Sequence, residues 1–261
     1  LAGLQQTLLD PLGMDVGDVN DDSAVDLVVA GGELLLLIND GLGDFGVSIV
    51  AAKPLVDTGD GTWELAAMED VDADGQQDIV AIWVVVYTPP IPVDPIVVWS
   101  VRVFLGDGSG SFDGGTQLVS RDGVLLTPAS SLLAGDLDED GDLDMFLLGS
   151  YVEMLLESQG GLTFLDHDSA FSLLPPTGGL LDYDGDGRPD FAGVAGSHVT
   201  WFRNNFDGRF ATFEHHMAVK NTDAWSHFVM PRAEDMDGDG DQDVVVVTEF
   251  ESPPELRVYA N

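Results

Sequence analysis

Short apolar runs recur along the chain at 27–30, 79–86, 145–148, 191–194 and 244–248, each bounded by turn-forming residues. Runs of that length, rich in Val, Ile, Leu and Phe, predict strands and not helices. Each follows directly on an acidic segment of nine residues in one shared frame, with Asp, or once Asn, at positions 1, 3, 5 and 9. The five copies begin at Asp18, Asp70, Asp136, Asp182 and Asp235, spaced by 52, 66, 46 and 53 residues. A second repeat lies downstream, where a predicted strand enters a Gly-rich turn that ends on an aromatic: 39–45, 106–112, 159–164 and 204–210. The unit is therefore strand, acidic loop, strand, hairpin, strand, Gly turn, strand. Four antiparallel strands every 46 to 66 residues predict the blades of an all-β propeller.

Residues 255–260 have the pattern of a third strand in the last repeat, and Asn261 matches Asn39 and Asn204 at the mouths of earlier Gly turns. Residues 1–9 have the pattern of the missing outer strand. The expectation is one domain over residues 1–261, a five-bladed propeller of four-stranded antiparallel blades whose N-terminal strand completes the last blade. Such closure leaves no exposed sheet edge.

Composition then limits the function classes. With 47 Asp and Glu against 9 Lys and Arg, the formal net charge is -38. That surface repels phosphate backbones and anionic headgroups, which excludes nucleic acid and polybasic-type membrane binding. High charge often means disorder, but 44% of the residues are apolar, enough to offset chain entropy. There is no cysteine, hence no thiolate metal site. The longest apolar stretch, 79–99, is interrupted by Pro89, Pro90, Pro92 and Pro95, so membrane insertion is not expected. The chain opens at Leu1 without a basic leader, and a secreted or cell-surface location with any signal peptide already removed is expected.

Carboxylates at positions 1, 3, 5 and 9 of a tight loop can converge on one centre. Calcium suits them, because it takes six to eight hard oxygens at about 2.3–2.6 Å in a tolerant geometry. Magnesium prefers a stricter, more hydrated octahedron, and zinc would prefer His or Cys. An EF-hand is excluded twice. Position 12 holds Val29, Ala81, Leu147, Gly193 and Val246 where a bidentate Glu is needed, and the loops lead into strands. The competing reading, that the acids merely cap turns, has to explain like charges gathered at a cost of about 1–4 kcal/mol per close pair.

These residues resemble the FG-GAP or VCBS repeat family, whose Asp-x-Asp-x-Asp-Gly-x-x-Asp loops carry calcium in integrin-type propellers. The resemblance covers essentially the whole chain in five in-frame copies. It implies up to five Ca2+ ions. The side-chain ligands it implies are Asp18, Asn20, Asp22 and Asp26; Asp70, Asp72, Asp74 and Asp78; Asp136, Asp138, Asp140 and Asp144; Asp182, Asp184, Asp186 and Asp190; and Asp235, Asp237, Asp239 and Asp243. Position 7 carbonyls would come from Ala24, Gln76, Asp142, Arg188 and Asp241. Loop one departs from the pattern, with Asn20 removing a charge and Ser23 replacing the turn Gly, so the weakest site is expected there. Known members more often have seven or eight blades; the count of five comes from this chain.

The face opposite the loops is the expected ligand face. Trp63, Tyr87, Asp223 and Trp225 lie in links or long hairpins with aromatic faces beside polar groups, a combination that suits sugar rings. The predicted function is a calcium-stabilised extracellular binding module for a glycan or protein. Two alternatives stand beside it: a purely structural adhesin module, and a glycan-cleaving enzyme using inner-strand acids such as Asp15 and Glu64. His215 and His216 alternate across a predicted strand, and no nucleophile elbow, phosphate loop or zinc-binding helix is present, so catalysis is not the expected activity.

Overall fold

The computed structural model describes residues 12–52, 60–87, 96–124, 129, 131–149, 153–168, 178–182, 185–195, 198–204, 210–212, 217–218, 228–234, 236, 238, 243–248 and 256–259. They form five antiparallel sheets. Sheet one contains β1 (Gly13–Gly17), β2 (Asp26–Ala30), β3 (Leu34–Asn39) and β4 (Phe45–Ala51) in that order. Sheet two contains β5 (Asp60–Glu69), β6 (Asp78–Tyr87), β7 (Ile96–Phe104) and β8 (Thr116–Val124). Sheet three contains β9 (Ser131–Gly135), β10 (Asp144–Leu148), β11 (Glu153–Ser158) and β12 (Phe164–Asp168). Sheet four contains β13 (Gly178–Leu181), β14 (Asp190–Ala195), β15 (His198–Asn204) and β16 (Phe210–Thr212), with β17 (Met217–Ala218) also paired to β15. Sheet five contains β18 (Phe228–Glu234), β19 (Asp243–Thr248) and β20 (Leu256–Tyr259). Residues 1–9, expected to complete it, lie outside the described residues. No helix is long and apolar enough to cross a membrane among the described residues.

Every acidic loop joins the first strand of a sheet to the second, and each second strand begins at loop position 9: Asp26, Asp78, Asp144, Asp190 and Asp243. The hairpin therefore fixes the loop by register, since Gly17 pairs with Asp26, Glu69 with Asp78 and Gly135 with Asp144. The chain divides into two compact units, one of Leu1–Pro128 with Gln159–Phe164, the other of Ala129–Ser158 with Leu165–Asn261.

In the first unit, β1 packs against β5. The alternate residues Val28, Ala30, Leu34 and Leu36 of sheet one meet Met68, Ile79, Ala81, Trp83 and Phe104 of sheet two. Gly13 permits the close approach, because a Cβ there would lie 2.7 Å from the Glu64 carbonyl oxygen. A bulge between Trp63 and Leu65 resets the alternation, so that Trp63 joins Ala66 and Met68 on the buried face. In the second unit, β13 packs against both β9 and β18. Phe146, Leu148 and Leu155 of sheet three meet Phe191 and Phe202 of sheet four, with Phe146 and Phe191 edge to face at 6.1 Å. Burying a large apolar side chain contributes about 1.5–3 kcal/mol, so these faces anchor the strands that carry the loops. Loop position 2 adds to the same cores through Val19 and Leu137.

Candidate metal centre

Loops one to four repeat one backbone geometry. The position 1 carboxylate accepts the position 6 N–H at 2.8 Å in loop one (Ser23 to Asp18), 2.9 Å in loop two (Gly75 to Asp70), 3.0 Å in loop three (Gly141 to Asp136) and 2.9 Å in loop four (Gly187 to Asp182). The position 5 carboxylate accepts the position 7 N–H, as from Gln76 to Asp74 at 2.8 Å and from Asp142 to Asp140 at 2.9 Å. Two residues per loop turn left-handed. At position 6, Gly75, Gly141 and Gly187 have φ of 92°, 91° and 91°, and Ser23 adopts 69° without being Gly. At position 4, Asp21, Ala73, Glu139, Gly185 and Gly238 lie between 57° and 80°. Only the requirement at position 6 is evident from the Gly pattern of the sequence.

Position 9 closes each loop. Its carboxylate is buried in all five copies, and one oxygen accepts the position 2 N–H: Val19 to Asp26 at 3.1 Å, Val71 to Asp78, Leu137 to Asp144 and Met236 to Asp243 at 2.9 Å. In loops one to four the other oxygen accepts an N–H from the mouth of the Gly turn, namely Asn39, Gly106, Ser158 and Asn204 at 2.7 to 2.8 Å. The third turn thus opens at Ser158, one residue before the start expected from sequence.

Carboxylate oxygens of positions 1, 3 and 9 lie within 4.8 Å of one another in loop two (Asp70, Asp72, Asp78) and in loop three (Asp136, Asp138, Asp144). Asp74 and Asp140 fall outside these groups, their oxygens turned to the position 7 amides. Concentrating buried negative charge has the expected electrostatic consequence. Burial pushes Asp78 up to about 6, with Asp72 and Asp74 adding to it against the Gly106 and Val71 N–H bonds. Burial likewise pushes Asp144 up to about 6, with Asp138 and Asp140 adding, and raises Asp138. In loop three the Oδ1 of Asp136 is buried without a hydrogen-bond partner. Three hard carboxylates around an orphaned buried oxygen fit a divalent oxygen-seeking cation such as calcium, and the set contains no nitrogen or sulfur for zinc.

Loops one and four depart from this arrangement. In loop one, Asn20 spends its amide on Asp22, donating at 3.0 Å. In loop four, Asp186 is held by the guanidinium of Arg188 and, at 3.1 Å, by that of Arg203. Desolvation opposes its charge, but the Arg188 N–H and the two guanidiniums outweigh that and hold its carboxyl below the usual range. Asp184, Asp235, Asp237, Asp239 and Asp241 lie outside the described residues.

A family model described as an FG-GAP-like repeat matches residues 182–246, from the start of loop four to the strand after loop five. The chain carries an FG-GAP-like repeat. No curated protein matches it significantly. Among solved structures, an Agrocybe aegerita lectin, described as recognising non-reducing terminal N-acetylglucosamine, is similar at 16% identity and TM-score 0.46, over 94% of this chain and 79% of that one. The V. cholerae biofilm matrix protein Bap1 is similar at 17% identity and TM-score 0.43, over 95% of this chain and 37% of that one.

The other expected site residues are placed unevenly. Trp63, expected to offer a ring to a ligand, is 1% exposed and stacks in the core between Trp83 at 4.9 Å and Phe104 at 5.7 Å. The bulge that resets β5 turns it inward, so it has no free face for a sugar. Tyr87 ends β6 and is partly exposed. Asp223 and Trp225 lie outside the described residues. Asp15 accepts the Met68 N–H at 2.8 Å, and burial raises Glu64. Asp15 also helps raise Glu69, which burial pushes up to about 7.

Proposed function

We propose that this chain is a calcium-stabilised binding module whose acidic loops hold Ca2+ by positions 1, 3 and 9, joined by position 5 and the position 7 carbonyl. The observation that carries the reading is loop three, where Asp136, Asp138 and Asp144 converge within 4.8 Å and leave Asp136 Oδ1 buried and unpartnered. A bound cation would offset the burial, and the smaller mutual repulsion, that raise Asp138 and Asp144. Loops of this kind, exposed at positions 4 to 6 in loops one to three, match the weak sites of extracellular modules, with dissociation constants of about 0.1–1 mM, which favours a secreted or cell-surface protein. Two sites at ten times their dissociation constants contribute on the order of 3 kcal/mol. Calorimetry with calcium and then with excess EDTA should record a fall in Tm of roughly 6–12 °C; an unchanged thermogram overturns the reading.

The same proposal takes the five sheets as blades of one ring closed by residues 1–9. Its support is that first strands adjoin inside each unit, and that the face of sheet one turned away from sheet two is apolar and uncovered at its margins, with Met14 70% and Ile49 55% exposed. Deleting residues 1–9 would lower the Tm of a closed ring and leave an open array unchanged. The ligand of such a module is proposed to be a glycan or protein, bound opposite the loops near Tyr87, Asp223 and Trp225. Binding to a glycan array that disappears with EDTA is the expected result; a chain that binds no glycan with or without calcium removes the glycan reading.

A further inference from the structure

Two residues of sheet four and its loop reach loop three and hold it on either side of Asp138. Asn204 ends β15 and is fully buried. Its side-chain amide donates to the carbonyl of Leu137 in loop three at 2.6 Å and to that of Pro189 in loop four at 3.1 Å, and its backbone N–H donates to Asp190 Oδ1 at 2.7 Å. Anchored on loop four by the last two bonds, Asn204 fixes by the first the peptide that links Leu137 to Asp138. On the other side of Asp138, Glu139 Oε1 lies 3.6 Å from the guanidinium of Arg188, which is also paired with Asp186. In the first unit the carbonyl at the same loop position, that of Val19, accepts the Gly110 N–H at 3.1 Å from the Gly turn of sheet two. A hold on the position 2 carbonyl thus recurs, supplied there by turn backbone and here by a buried side chain.

Asp138 needs such a hold more than its two companions do. Asp136 accepts the Gly141 N–H at 3.0 Å, and Asp144 accepts the N–H groups of Leu137 and Ser158 at 2.9 and 2.7 Å. Asp138 accepts the Asp140 N–H at 3.2 Å, the long end of the normal range. It also stands among like charges, since Asp140, Glu157 and Asp136 add to the burial that raises it. We infer that Asn204 and Arg188 are positioning residues that hold Asp138 in place for an ion in loop three, an inference that rests on the calcium reading above. Loop four needs no ion for this, because Asp186 is already paired with two guanidiniums. Without the Asn204 amide the buried Leu137 loses the donor to its carbonyl, which is costly, and the peptide carrying Asp138 turns toward another. Groups that orient metal ligands from outside the coordination sphere typically account for roughly 10–100-fold in affinity.

The test follows the amide resonances of Gly141 in loop three and Gly75 in loop two during calcium titration of the full chain. Each N–H donates to the position 1 carboxylate of its own loop, so each reports its own site. Asn204→Ala should raise the half-saturation point at Gly141 about tenfold and leave that at Gly75 within about twofold. Asn204→Ser, which keeps a donor and removes less volume, serves if the Ala variant does not fold, and should give a smaller shift in the same direction. A merely structural role for Asn204 would lower Tm yet leave the ratio of the two midpoints unchanged, and that result overturns the inference. The second hold is tested at the exposed Glu139. Glu139→Gln should raise the Gly141 midpoint by up to about fivefold, and by less in an Arg188→Gln background. An equal or larger change without Arg188 means that Glu139 acts by its bare charge, and removes Arg188 from the positioning role. A Gly141 resonance that calcium never moves in the unmodified chain overturns the calcium reading itself, and the positioning role with it.

Discussion

Loops three and four share a frame, a unit and a bridging asparagine, yet they balance their charge in different ways. Loop three gathers Asp136, Asp138 and Asp144 with one buried oxygen unpartnered, and burial pushes Asp138 and Asp144 up. Loop four has Asp186 between Arg188 and Arg203, and that acid is held down. Arg188 also lies 3.6 Å from Glu139 of loop three, so the cationic side chain of one loop reaches the rim of the other. The nine-residue frame thus specifies a backbone cage, and the residues around it decide whether its charge is met by an external cation or by the protein's own guanidiniums.

The widest separation between the two should appear in acid-base behaviour without calcium. Asp144 in loop three and Asp78 in loop two titrate at about 6 in the fold, against 3.8 without it. Between those values the folded state keeps a proton that the unfolded chain has lost, so stability falls as pH rises from about 4 to about 6 and is level above it. The loss is on the order of 1–2 kcal/mol per acid once screening by water is counted. Asp186, held down, has the opposite sign: its contribution is present above the ordinary carboxylate range and disappears as pH falls through its lowered value. Chemical denaturation from pH 4 to 7 in EDTA should show the falling limb, and Asp144→Asn should flatten it where Asp186→Asn does not. Calcium, which binds the deprotonated loops, should reverse the slope.

Most of the scaffold behind this contrast can be read from the residues, while the side-chain arrangement largely cannot. The apolar runs after Asp26, Asp78, Asp144, Asp190 and Asp243 become β2, β6, β10, β14 and β19, because a buried strand following a turn of fixed length has a strong local pattern. Trp63 is not readable in the same way: its inward direction depends on a one-residue bulge that changes the parity of β5, and nothing in the spacing marks it. Position 5 looks equivalent to positions 1, 3 and 9 as a residue type, but the position 7 amide is its nearest partner. Asn204 stands at a recurring turn position that sequence marks without assigning a role. Its two carbonyl partners are 67 and 15 residues away, and only the packing of sheets three and four brings the first within reach.

The guanidiniums of loop four can be removed to sharpen the contrast further. Replacing Arg188 and Arg203 together with Gln takes two positive charges from beside Asp186 while keeping side chains of similar length. With the two cations that compete for Asp186 removed, calcium affinity at loop four should rise about tenfold and approach that of loop three. Titration followed at Gly187 and Gly141 measures both in one sample. If the midpoint at Gly187 does not change, Arg188 and Arg203 have no part in setting its charge balance.

The smallest effect concerns the cage and not the charge. Loop one places Ser23 at φ 69°, where loops two, three and four place Gly at 91–92°. A non-Gly residue in the left-handed region carries roughly 1–2 kcal/mol of backbone strain. Gly relieves that strain but restores about 0.5–1 kcal/mol of freedom to the unfolded chain. Ser23→Gly should therefore stabilise the protein by about 0.5–1 kcal/mol, a rise in Tm of roughly 1–4 °C for a chain of this size. The gain should be the same with calcium or EDTA, because Ser23 contributes its N–H to Asp18, and Gly keeps that donor. A gain seen only with calcium would mean that Ser23 limits the ion site itself, and would place the weakness of loop one in its backbone instead of in the missing charge at Asn20.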